Sequence, residues 1–248
     1  MYGLLEGEIV QEMLGSPLET YEPTGRVWRL SSVKIEVPIV PRTFYAVGLN
    51  YVSHVKSSAA FMRRQSETPD KPDVGYRAVN ALIAHDEPII VPKDASEEIQ
   101  YEGELVVVIG KKAKRLSEGE ALSCVFGYTI GNDVSERSWQ ATDRTLWRSK
   151  NTDTFKPMGP WIETEVDLNG MQTIVRLNGT AMVRFKTNDM VFSIARYISA
   201  MSQYLTLHPG DVIWMGTDGI PANIKHGDTV EIEITGIGTL RNPVALEK

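Results

Sequence analysis

This chain predicts a mixed fold dominated by β-strands, and three observations carry that reading. Short runs rich in Val, Ile and Leu recur between turn residues, as at Ile89-Ile90-Val91, Leu105 to Ile109, Ile174 to Leu177, Val212 to Met215 and Thr229 to Ile234. Asn178-Gly179 separates two such runs, and this dipeptide suits a tight hairpin because both central positions take positive φ. Only two stretches repeat apolar residues at helical spacing, so helices are few.

Residues 1–40 alternate short apolar pieces with turns at Gly15-Ser16-Pro17 and Pro23-Thr24-Gly25, which predicts a small N-terminal β-rich lobe. Val37-Pro38-Ile39-Val40-Pro41 reads as a stiff linker, and residues 41–248 as the main domain. There Thr43 to Val47 is a strand ended by Gly48, Asn50 to about Arg64 a helix or mobile segment, and Gln65 to Pro72 a polar surface loop. A second helix is expected after Asp133, capped by Ser135, with Trp139, Thr142 and Leu146 on one side. The clearest helix runs from about Val191 to Leu205 behind a cap at Asn188 or Asp189.

A chain of 248 residues can bury a substantial core. Its net charge of -6 and lack of a Lys/Arg run argue against nucleic acid. A lone cysteine, Cys124, permits no intrachain disulfide, and its apolar setting predicts a buried, unreactive thiol. No apolar run is long enough to span a membrane, and Met1 to Glu8 lacks the basic start of a signal peptide; the expectation is a cytoplasmic protein. Nucleophile elbow, phosphate loop and Cys-x-x-Cys are all missing.

The chemistry concentrates in Tyr101-Glu102-Gly103-Glu104-Leu105-Val106-Val107-Val108-Ile109-Gly110. A strand sends i and i+2 to one face, so Glu102 and Glu104 point one way while Leu105, Val107 and Ile109 form the apolar face. The like-charged pair is either a solvated strand end or half of a site for a hard divalent cation, with Asp133 of Gly131-Asn132-Asp133 a candidate third ligand.

Several segments, in order, resemble the fumarylacetoacetate hydrolase (FAH) superfamily over about residues 44–244. They are Val47 to His54, Glu102 to Lys111, Gly127 to Arg137, then Lys150, Pro157-Met158-Gly159-Pro160 and Gly216-Thr217-Asp218-Gly219. The resemblance implies a distorted β-roll or β-sandwich-like catalytic domain, usually a homodimer. It implies Mg²⁺ or Mn²⁺ on Glu102, Glu104 and Asp133, and a small 2-oxo carboxylic acid substrate that reacts through a metal-stabilised enolate. Lys150 matches the active-site lysine, although alone it would read as solvated surface. Gly216 and Thr217 match the loop at the substrate's carboxylate end, and Tyr51, Arg137 and Gln140 lie in segments that face substrate, with a structural ion pair the alternative for Arg137.

His54 matches a histidine that hydrolytic members use to activate water. The glutamate expected three positions later is Ser57 here, and Glu67 in the adjoining loop is a candidate substitute. Arg77 stands where lysine is frequent and offers a bidentate fork for a second substrate carboxylate; Asp218 replaces a proline. His85, His208 and His226 read as surface residues. The expected activity is hydrolysis of a C–C bond in an acylpyruvate-like 2,4-dioxo acid. The alternative is an isomerase, tautomerase or decarboxylase acting on a related 2-oxo dicarboxylate such as 2-hydroxyhepta-2,4-diene-1,7-dioate or oxaloacetate.

Overall fold

The computed structural model describes residues 1–56 and 68–248 and divides into two compact units, Met1–Glu36 and Val37–Lys248. The first is an antiparallel meander of β1 (Tyr2–Glu6), β2 (Ile9–Gly15) and β3 (Tyr21–Arg29). Within it Glu12 is buried and takes hydrogen bonds or ion pairs from Trp28 Nε1 and Arg26.

The second unit is also strand-rich. Along the chain lie β4 (Phe44–Val47), β5 (Val74–Tyr76), β6 (Leu82–Ile83), β7 (Ile89–Val91), β8 (Ile99–Gln100), β9 (Gly103–Ile109), β10 (Val125–Asn132), β11 (Ser135–Glu136) and β12 (Lys156–Glu163). Then come β13 (Gln172–Leu177), β14 (Thr180–Lys186), β15 (Val212–Trp214), β16 (Thr229–Ile234) and β17 (Gly238–Leu246). The α-helices with full bounds are α1 (Arg137–Gln140) and α2 (Ile194–Tyr204). A seven-stranded sheet runs β5-β4-β15-β9-β10-β12-β6 and a five-stranded one β14-β13-β16-β17-β7. Val37 to Pro41 is less free than a linker: Ile39 is buried, and Pro38 lies against Gly159.

Strand β9 is central and buried along its whole length. Leu105, Val107 and Ile109 join the apolar core. Gly103 shares their face, and a Cβ there would meet Val175 and Ile232 side-chain carbons at 2.9 and 3.0 Å, so glycine lets the five-stranded sheet pack close. The alternation of the strand then turns Glu102 and Glu104 the other way. The hairpin at Asn178-Gly179 forms as expected, with φ of 53° and 78°.

Both helix starts differ from expectation. Helix α2 begins later, and its cap is Ser193, whose side chain accepts from Arg196 N. Ser135 lies in β11, and α1 is a single turn capped by Glu136, which accepts from Trp139 N. In both cases the residue directly before the first helical position has an oxygen-bearing side chain that reaches an exposed N–H group, which apolar spacing cannot locate. Cys124 is buried, as expected, with Sγ donating to Ala121 O at 3.1 Å. Ser57 and Glu67 lie outside the described residues.

Candidate metal and active site

Register explains why two distant segments share one site. Antiparallel pairing sets Gly131 of β10 opposite Glu104 and Asn132 opposite Gly103. The pairing continues past both strands, where Asp133 N donates to Glu102 O at 2.9 Å and Glu102 N donates to Asn132 Oδ1 at 3.0 Å. Glu102, Glu104 and Asp133 are therefore neighbours, buried, each offering a carboxylate oxygen within 4.8 Å of the others.

Basic groups surround two of the three. Lys150 Nζ bridges Glu102 Oε2 at 2.6 Å and Asp133 Oδ2 at 2.7 Å. Arg137 Nη2 donates to Glu102 Oε1 at 2.6 Å, while its Nε and Nη1 reach Gln100 and Gln140. Arg77 forks onto Asp133 at 3.1 and 2.8 Å. Its fork is thus engaged by the protein, not held open toward a second substrate carboxylate. Glu104 pairs with no basic side chain among the described residues; it accepts Gly216 N–H at 2.9 Å.

The electrostatics follow from this asymmetry. Burial would raise Glu102, but Lys150 and Arg137 outweigh it and hold the carboxyl down at about 2. Burial would also raise Asp133, and Arg77, Lys150 and Lys156 hold it well below the usual range. For Glu104, burial comes first and the Asp133 and Glu102 charges add to it, so its carboxyl lies well above the ordinary value. Three buried hard oxygen donors, one of them facing like charges with no basic partner, are a donor set that fits a Mg²⁺- or Mn²⁺-class dication.

His54 stands at the edge of this cluster in a helical turn at residues 52–56, with Nε2 4.0 Å from Glu102 Oε1. Burial lowers its pKa, with Glu102 opposing, so a neutral imidazole is favoured. The turn is anchored on both sides. Asn50 Nδ2 donates to Phe192 O and Met215 O, its Oδ1 accepts Phe192 N, and Tyr51 OH donates to Thr187 O at 2.5 Å. Tyr51 thus serves the wall of the site through its hydroxyl. Gly216 and buried Thr217 follow directly on β15, whose end is fixed where Met215 N donates to Leu105 O.

Sequence reasoning missed Lys156. It is fully buried, its Nζ is 2.8 Å from Asp133 Oδ1, and it donates to the Val134 and Phe155 carbonyls. Burial lowers it to about 7 against the attraction of Asp133. A signal existed: a lone lysine interrupts the apolar Phe155-Lys156-Pro157-Met158 run. The opposite case is His85, read as surface but half-buried, accepting Arg241 N at its Nδ1.

The chain is similar to known proteins over most of its length. A family described as fumarylacetoacetate (FAA) hydrolase C-terminal matches residues 43–245, and one described as Rv2993c-like, N-terminal, matches residues 1–38. Protein Rv2993c of Mycobacterium tuberculosis is 37% identical over 96% of this chain and 86% of its own. The crystal structure of 5-carboxymethyl-2-hydroxymuconate delta-isomerase from Mycobacterium smegmatis is similar at a TM-score of 0.88 with 36% identity, covering 99% of this chain and 94% of that one. Maleylpyruvate hydrolase from Sphingobium sp. SYK-6, solved with manganese(II) and pyruvate, is similar at a TM-score of 0.75 with 26% identity, over 90% and 78% of the two chains. The β-dominated fold with an FAH-type main domain is thereby shown, and the chain belongs to the fumarylacetoacetate hydrolase family of divalent-metal-dependent enzymes.

Proposed function

We propose that the protein binds Mg²⁺ or Mn²⁺ through Glu102, Glu104 and Asp133 and hydrolyses a C–C bond in a small acylpyruvate-like 2,4-dioxo acid by way of its enolate. The observation that carries the reading is the buried carboxylate trio with Lys150 bridging two members and His54 at its edge. When bound, the dication supplies a Lewis acid for the substrate's carboxylate and 2-oxo oxygens and favours negative charge on the latter.

The side chains supply the rest. Neutral His54 takes a proton from water, the hydroxide adds to the distal carbonyl carbon, and the bond from that carbon to C3 breaks. Its electrons pass into the pyruvate enolate, which takes up at C3 the proton that His54 removed from water, giving pyruvate, a carboxylic acid and a neutral imidazole again. Lys150 is placed to hold a substrate oxygen beside the trio, and the N–H and hydroxyl of Thr217 suit the carboxylate end, the Gly216 N–H being given to Glu104. Burial of the trio, Lys150 and Thr217 limits bulk water, with His54 partly exposed at the edge, so the electrostatic contacts of the trio act in a low dielectric.

A second reading, isomerisation or tautomerisation of a related 2-oxo dicarboxylate, is favoured by a specific observation: the M. smegmatis isomerase is more similar to this chain than the maleylpyruvate hydrolase is. Both readings share enolate formation and differ in its fate. The deciding experiment offers acylpyruvates, oxaloacetate and 2-hydroxydienoates with Mn²⁺ in D₂O and follows products by NMR. Acid and pyruvate appearing together support hydrolysis; C3 deuteration or a shifted double bond without cleavage supports the second reading; no C3 exchange with any substrate would sink both.

A further inference from the structure

We propose that Asp218 is a positioning residue for His54, capping the helical turn that carries the imidazole from a loop 164 residues away in sequence. The catalytic consequence rests on the function proposed above; the geometry stands without it. Asp218 Oδ1 accepts the His54 backbone N–H at 3.1 Å and also the Ser53 hydroxyl. The first N–H groups of a helical turn have no partners within the turn, so an acceptor placed there fixes where it starts and which way its side chains project. Here that acceptor is a tertiary tie, because it belongs to the loop after β15.

The loop is itself held. Gly216 has φ +84° and a Cβ there would stand 3.4 Å from Asn50 Cβ. Gly219 has φ +81°, and its Cβ would meet Val183 Cγ1 at 2.5 Å. Asn50 bridges this loop's start, at Met215 O, to Phe192. At one end the loop donates Gly216 N–H to Glu104; two residues on, it caps the His54 turn. One short rigid segment therefore sets a carboxylate of the trio and the imidazole relative to each other. The Asp218 carboxylate faces Ser53 and His54, so its contribution is an acceptor for the turn, not negative charge offered to a substrate's carboxylate.

Two substitutions separate acceptor from charge. Asp218→Asn keeps an acceptor oxygen and Asp218→Ala removes it. The chain has four histidines, at 54, 85, 208 and 226, so ¹⁵N-histidine labelling with His54→Ala as the assignment control isolates one ring. In metal-free buffer without substrate, the His54 signal is expected to broaden or shift in Asp218→Ala and to match the parent in Asp218→Asn. In turnover, Asp218→Ala is expected to lower kcat about 10- to 100-fold with little change in KM, Asp218→Asn to restore it, and Asp218→Ala to cost nothing further in a His54→Ala background. An unchanged His54 signal in Asp218→Ala, or an equal loss of kcat in the His54→Ala background, overturns the proposal. Should the parent turn over no substrate, the proposed activity fails, and the histidine signal alone decides the role of Asp218.

Discussion

Replacing Glu104 by Gln is expected to stabilise the metal-free protein while removing its response to metal. Two carboxylates with oxygens within 4.8 Å of each other repel by at least about 3.5 kcal/mol at an effective dielectric of ~20. Glu104 faces two such neighbours, and Lys150, which bridges those neighbours, offsets part of the repulsion. A net gain of about 1–3 kcal/mol in EDTA at pH 8 is therefore expected. Gln retains an oxygen for Gly216 N–H, so the substitution isolates the charge. The sign with pH is fixed by the upward shift of Glu104. A raised folded value contributes stability that is present below the ordinary glutamate range and lost as pH climbs through the folded value. The advantage of Glu104→Gln should thus be near zero at pH 4, grow as pH rises, and level off above the raised value. Urea denaturation in EDTA across that range measures it, and thermal unfolding with Mn²⁺ measures the second half. In the parent, metal at 100 times its Kd adds about 2.7 kcal/mol; in the variant this increment is lost. A variant less stable than the parent at pH 8 in EDTA, or one with an undiminished Mn²⁺ shift, would refute the reasoning.

Lys150→Met takes away the bridge between Glu102 and Asp133 and should cost about 3–5 kcal/mol in EDTA, with Mn²⁺ restoring more stability than it adds to the parent; calorimetric unfolding with and without metal tests both. Gly131→Ala drives a Cβ to within 2.6–2.8 Å of three Trp214 ring atoms, so a loss of about 1–3 kcal/mol with altered Trp fluorescence is expected, and an unchanged urea midpoint would contradict the packing. Asp86→Asn removes the charge of the fork Arg241 makes with Asp86 while tolerating the positive φ of 65°. Arg241 lowers Asp86, so the pair's contribution is present above the ordinary aspartate value and lost as pH falls through the lowered one. Because the pair is half-exposed, the variant should lose under about 1 kcal/mol at pH 7 and almost nothing near pH 2, as read from urea midpoints.

The geometry of the carboxylate pair was legible because it depends on the period of a strand. Glu102 and Glu104 share a face for the same reason that Leu105, Val107 and Ile109 share the other, and ordered family segments brought Asp133 and Lys150 to them. What stayed hidden was partnership. Nothing in the spelling of Arg77 shows that Asp133 occupies its fork, and nothing at Lys156 shows a buried amine on the same carboxylate. Such contacts depend on how β10, β12 and the segment after β5 are laid side by side, which local pattern does not encode. Helix caps failed for a related reason: Ser193 and Glu136 were passed over for nearby residues of similar chemistry, because a cap is chosen by one residue's backbone angles.

Strand β15 enters the seven-stranded sheet between β4 and β9, pairing parallel with one and antiparallel with the other. During synthesis, β4 and β9 are complete more than a hundred residues before Val212 emerges, so the two strands must wait with facing edges unpaired. Glu104, too, meets Gly216 only then. Translation paused before residue 212 would leave a nascent chain with two sticky edges and an unfinished cation site, a form suited to chaperone capture. Closing the sheet and completing the site are one late folding event, set by the high sequence separation of its contacts.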